Sequence, residues 1–201
     1  VGHYARMARE KQYRGLFVVV SDPVDPLCRW ALRESNKDER GAYDGLGLSP
    51  AQIRGFGLGV MHARALYYAR RDPRFASYLT EGRAFGPHGK DLVIANSIDR
   101  YDDALSRELT EQAVQANIAV RDLGFKPYIA PALSSAALSI LLTLRGEWHY
   151  GSLYLGTRER GAFLGMKNRL TKGGWEWEDL DLPEELYERI RNAYDNLCEI
   201  R

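Results

Sequence analysis

The chain has 201 residues, 45% of them hydrophobic, which is enough for one sizeable core, and its 28 basic and 27 acidic side chains nearly cancel. That balance provides no field for a polyanion, so nucleic acid is not an expected partner. Cys28 and Cys198 are the only cysteines; they form no disulfide framework and no C-x-x-C pair, and they fit a reducing cytoplasm.

In chain order, VGHYARMAREKQY has the spacing of a helix with basic residues on one side, and GLFVVV reads as a strand buried on both faces. A helix running into such a strand implies an earlier strand to pair with, and so residues upstream of Val1. In SDPVDPLCRWALRES, Pro23 and Pro26 lie in a loop and first turn, and Leu27, Trp30 and Ala31 follow at helical spacing. Residues 36–50 are polar and glycine-rich, the expected linker. A helix is predicted in VMHARALYYARR, then short strands in GRAFGPH and DLVIANSI. From Asp103 to Leu123 the apolar positions 105, 109, 113, 116, 120 and 123 recur three or four apart, and Gly124 stops the helix. The most apolar run, YIAPALSSAALSILLTL, is too short and too interrupted by Pro131 and serines to cross a bilayer, and it reads as a buried helix. The N-terminus carries no signal-peptide pattern. EWHYGSLYLG and RGAFLGMKNRLT alternate around a TRER turn as an antiparallel hairpin. The last helix opens at Pro183 with Glu184 and Glu185 and buries Leu186, Ile190, Ala193 and Leu197.

Candidate chemistry is sparse. His3, His62, His88 and His149 show no two-ligand spacing on a helix face, so no metal is expected. No serine sits in a G-x-S-x-G elbow. The glycines of GFGLGVMHA could cradle a phosphate at a helix N-terminus, but SPAQIR before them has only one strong apolar residue where a dinucleotide loop needs a buried strand. A strand directly before Gly55 is therefore what a nucleotide loop in an unrelated α/β fold would require.

Three features stand in order: a strand ending in VVSDPVD, a helix bearing Arg64 in HARA, and a loop bearing His88 in GPHGKD. Together they resemble the lactate/malate dehydrogenase family, whose members read SNPVD, D-x-A-R and GEHGD. The likeness runs over nearly the whole chain to the final LPEE helix. It implies an α/β plus α+β fold, with the C-terminal edge of a Rossmann-like domain (residues 1–25) followed by a catalytic domain (26–201) similar to that family's. It also implies an NAD- or NADP-dependent oxidoreductase of a small 2-hydroxy or 2-oxo acid in the complete protein, assembled as a homo-oligomer. The glycine fingerprint for the cofactor would lie upstream of Val1. His88 matches the acid/base, a task suited to imidazole because its ordinary pKa lies near neutral. Arg64 matches the carboxylate clamp, which needs a planar two-bond fork. Val20 and Asp22, at the strand end, border the cofactor, and Lys126 falls near the substrate pocket, where a cation would favour a second anionic group.

Two departures accompany the match. The aspartate that orients the family's histidine is Met61 here, and a thioether cannot accept a strong hydrogen bond from imidazole. The asparagine of SNPVD is Asp22, which when ionised only accepts. Asp22 is thus the expected substitute for the missing carboxylate, orienting His88 and favouring its charged form. The other reading is a catalytically degenerate homologue kept for oligomer formation or metabolite sensing.

Overall fold

The computed structural model describes residues 1–125 and 130–200. Its sheet is organised around the antiparallel hairpin that the sequence predicts, whose strands are buried on both faces over their first five residues. Strands β5 (His149–Gly156) and β6 (Gly161–Thr171) pair antiparallel from His149↔Asn168 to Gly156↔Gly161. A short strand, β7 (Gly174–Trp177), extends β6. On the other side, β1 (Phe17–Val19) pairs parallel with β2 (Ile53–Gly55), which meets β5 antiparallel at Gly55↔Ser152, giving the order β1-β2-β5-β6-β7. A separate antiparallel pair, β3 (Arg83–Phe85) and β4 (Val93–Ala95), brackets the His88 loop.

Helices α1 (Gly2–Glu10) and α2 (Val24–Ser35) pack on the β1–β2 side around Val19, Cys28, Ile53 and Phe163. A second core joins α3 (Leu58–Ala69), the single-turn α4 (Tyr78–Glu81) and α5 (Asp103–Asp122) through Phe75, Tyr78, Ile94 and Leu109. Burying side chains of this size contributes roughly 1.5–3 kcal/mol each, before ordering costs. The last helix, α7 (Glu184–Glu199), buries Leu186, Ala193 and Leu197, with Ile190 partly covered beside them.

Four expectations need correction. The strand at GLFVVV is covered on one face only: Val18 and Val20 are exposed, because β1 is the sheet's edge and nothing among the described residues lies over that side. Residues 36–50 do not form a linker. The Asn36 side chain donates to the carbonyls of Leu32 and Leu48 at 2.8 and 2.9 Å and accepts from the Gly47 N–H, so the segment is stitched to α2 with Leu48 buried. Helix α6 (Ala130–Arg145) is not buried all round: Ser139 and Thr143 face inward, while Leu138, Leu141 and Leu144 face outward. Finally, a strand does precede the glycine cluster, since β2 ends at Gly55.

Arg54 of β2 is only 3% exposed, and among the described residues no carboxylate pairs with it. Its guanidinium lies 3.5 Å from the centre of the Trp175 ring, and Nη1 donates to the Ile53 carbonyl at 3.1 Å. Burial pulls its pKa down to about 9. A buried charge without a partner costs more than an apolar side chain of similar length. Arg54→Met is therefore expected to leave the urea midpoint unchanged or to raise stability by about 1–2 kcal/mol, net of a lost ring contact. A loss larger than ~1 kcal/mol would show that the cation has a favourable partner.

Candidate active site

Strand β1 stops at Val19, and the chain turns through Asp22 into the first turn of α2. The loop after β3 turns back at Gly86, whose φ of +88° suits a residue without a side chain and whose N–H donates to Gly165 of β6 at 3.0 Å. Asn196 of α7 holds the loop's far end, donating to Asp91 at 3.0 Å. These anchors bring His88 to the turn. Its Nδ1 lies 2.6 Å from Asp22 Oδ1, with Asp22 66% exposed and the imidazole largely covered. The structure thus brings Asp22 and His88 into contact. The other ring nitrogen, Nε2, is shielded from solvent and has no hydrogen-bond partner among the described residues.

Asp25, which sequence reasoning passed over, takes the histidine's main chain. Its Oδ2 accepts from the His88 N–H at 3.4 Å, and its Oδ1 accepts from the Ser152 hydroxyl at 2.5 Å. It is 3% exposed. Burial pushes its carboxyl up to about 6, partly opposed by the Ser152 and His88 hydrogen bonds.

Arg64 is half-buried on α3; Nη1 donates to the Ala113 carbonyl at 3.3 Å and meets the Met61 sulfur at 3.6 Å. Burial lowers its pKa, and the charge of Asp22 is near enough to oppose that shift. Asp22 bonds the imidazole, and among the described residues it makes no hydrogen bond or ion pair with Arg64. Met61 is 1% exposed in the apolar core beside Leu58 and Ala65, with its sulfur against the Arg64 guanidinium. Val20 is exposed at the strand end. Lys126 lies outside the described residues.

The glycine cluster has a strand before it and a helix after it, and the space where its side chains would lie is filled by protein. A Cβ on Gly55 would meet Val24 and Cys28, one on Gly57 would meet His88 at 2.8 Å, and one on Gly59 would meet Ser139 at 2.8 Å. These glycines permit close packing of α2, the His88 loop and α6. The remaining histidines are held structurally or exposed. His62 Nδ1 bonds Tyr78 Oη at 2.8 Å, with burial lowering its pKa to about 4; His149 is buried between Thr143 and the Glu147 carbonyl; His3 is exposed. A cavity of about 390 Å³ adjoins the site, lined by Pro23, Asp25, His88, Lys90 and Asn196 among others, but not by Arg64.

The folded-state pKa of Asp25 is raised, so between pH ~4 and ~6 the native chain binds more protons than the unfolded one, and stability falls as pH rises through that window. The effect is on the order of 3 kcal/mol. Asp25→Asn removes it, so the difference in urea midpoint between variant and wild type should shift in the variant's favour as pH rises from 4 to 7. Parallel curves would show that Asp25 titrates normally.

No protein-family model matches the sequence, and no curated protein matches it. Solved structures do. The malate dehydrogenase from Archaeoglobus fulgidus in complex with NADH is 18% identical with a TM-score of 0.70, over 98% of this chain and 64% of that one. The malate dehydrogenase from Aeropyrum pernix is 16% identical with a TM-score of 0.72, over 98% of this chain and 67% of that one. The chain therefore has the malate dehydrogenase fold and spans about two thirds of the length of these structures.

Proposed function

We propose that the chain belongs to the lactate/malate dehydrogenase family and that the complete protein is an NAD(P)-dependent oxidoreductase of a small 2-hydroxy or 2-oxo acid. The observation that carries this reading is the 2.6 Å contact between Asp22 and His88, with Arg64 close enough to feel the same carboxylate. Asp22 holds the proton on Nδ1, which leaves Nε2 as the nitrogen that gives or takes a proton at the substrate oxygen. The unpartnered state of Nε2 supports that role. Arg64 anchors the substrate carboxylate by a two-bond fork, exchanging its bond to Ala113 for stronger charged ones.

A nicotinamide cofactor supplies the hydride exchange at the substrate carbon. Val20, exposed and apolar at the carboxyl end of a parallel strand, together with Asp22 would border it, in keeping with ligand binding beyond strand ends. Residues 1–25 then close a dinucleotide-binding domain and residues 26–201 form the catalytic one. The outward leucines of α6 support assembly as a homo-oligomer, and two unpaired cysteines suit the cytoplasm.

Assayed with NADH and a panel of 2-oxo acids, the complete protein should turn over at least one of them. Arg64→Gln should lower kcat/KM about 10- to 150-fold, the worth of one or two charged hydrogen bonds at ~1.5–3 kcal/mol. Asp22→Asn should lower kcat by about 10²–10⁴ and change the shape of the pH–rate profile. An unchanged profile rules out the Asp22–His88 pairing in catalysis. No turnover of any acid by the wild type would leave the degenerate homologue, with its oligomeric or sensing role.

A further inference from the structure

Two carboxylates three residues apart hold one histidine at two points: Asp22 takes the imidazole and Asp25 takes the main-chain N–H. The two are unequal. Asp22 is mostly in water and can swing about its own bonds, whereas Asp25 is sealed in the first turn of α2 and fastened to Ser152 of β5. The helix N-terminus favours the negative charge of Asp25. Through it the His88 backbone is fixed to both α2 and the sheet.

We infer that Asp25 is a positioning residue, with Ser152 as its support, which fixes the His88 main chain so that the imidazole stays in bonding register with Asp22. This rests on the reading of His88 as the acid/base. The groups around Asp25 suit the role. The turn before its helix presents Asp22, the helix itself presents Cys28, the loop presents His88, and β5 presents the Ser152 hydroxyl. Without the hold on the main chain, an exposed carboxylate alone would have to fix a loop histidine, and exposed ion pairs contribute little to such ordering.

The test reads the tautomer of His88 by ¹⁵N NMR of the imidazoles, which needs neither cofactor nor turnover. In the wild type, the Asp22 contact should keep the neutral ring in the Nδ1–H form, against the Nε2–H form that free histidine prefers. Asp25→Asn removes the charge and leaves one accepting oxygen in place of two, so the amide cannot accept from both the His88 N–H and the Ser152 hydroxyl. Ser152→Ala keeps the charge and removes its support. Both should return His88 to a majority of Nε2–H, while amide exchange in α2 and β5 stays as in the wild type. Should Asp25→Asn fail to fold, Ser152→Ala carries the measurement.

In the complete protein the same variants should lose about 10- to 100-fold in kcat, as for a catalytic group displaced by about 1 Å, with KM within about twofold. An Nδ1–H majority retained in the folded variants overturns the inference. A tautomer shift combined with a wild type that turns over no 2-oxo acid keeps the role of Asp25 and removes the dehydrogenase reading instead.

Discussion

The turn from β1 into α2 is the constraint on which the site depends. Phe17–Val19 is held parallel to Ile53–Gly55, and Gly55 is held against Ser152, so the register of three strands decides where the turn emerges relative to β5. A one-residue slip in a strand sends its side chains to the opposite face. Such a slip would part Asp25 from Ser152 and carry Asp22 away from His88. Glycine at position 57 completes the arrangement, because a methyl group there would press on both His88 and Val24.

A carboxylate at Asp22 and one at position 61 would carry different costs. At Met61, inside the core with Leu58, Phe75 and Tyr78, an ionised carboxylate would surrender its hydration, a penalty of several kcal/mol unless repaid by its partners. At Asp22 the carboxylate keeps most of its water, so folding is spared that cost. The attraction between Asp22 and the imidazole is screened in proportion, and the side chain keeps its rotational freedom. Orientation must then come from the backbone. The loop supplies it through Gly86 on β6, Asp91 on α7 and the His88 N–H on Asp25.

What was legible in the sequence was local and periodic. The β5–β6 hairpin, α5 and α7 each carry enough repeats of one spacing to be read alone, although the far end of α5 exposes Val120 and Leu123 despite their place in the stripe. Strand β2 was missed because three residues with one strong apolar side chain carry no periodicity; pairing on both sides buries them. The inward face of α6 was missed for another reason. Composition marks a helix as apolar but does not say whether neighbours want leucines or, as around Ser139 and His149, small and hydroxylated groups. Asp22, Arg64 and His88 could be picked out because each sits in a short motif. Asp25 could not, since its partner Ser152 stands 127 positions away and gives no local signal.

The same logic separates the two halves of the proposed chemistry. Every group assigned to the proton lies between residues 22 and 152 and finds its partners within the described residues. The glycines at 55, 57 and 59 allow α2, the His88 loop and α6 to approach closely. Hydride exchange would then require Val20 and Asp22 to meet a nicotinamide held from elsewhere, whereas the orientation of the His88 ring is set by its contact with Asp22. The tautomer of that one ring is therefore a property of this fold before it is a property of any reaction.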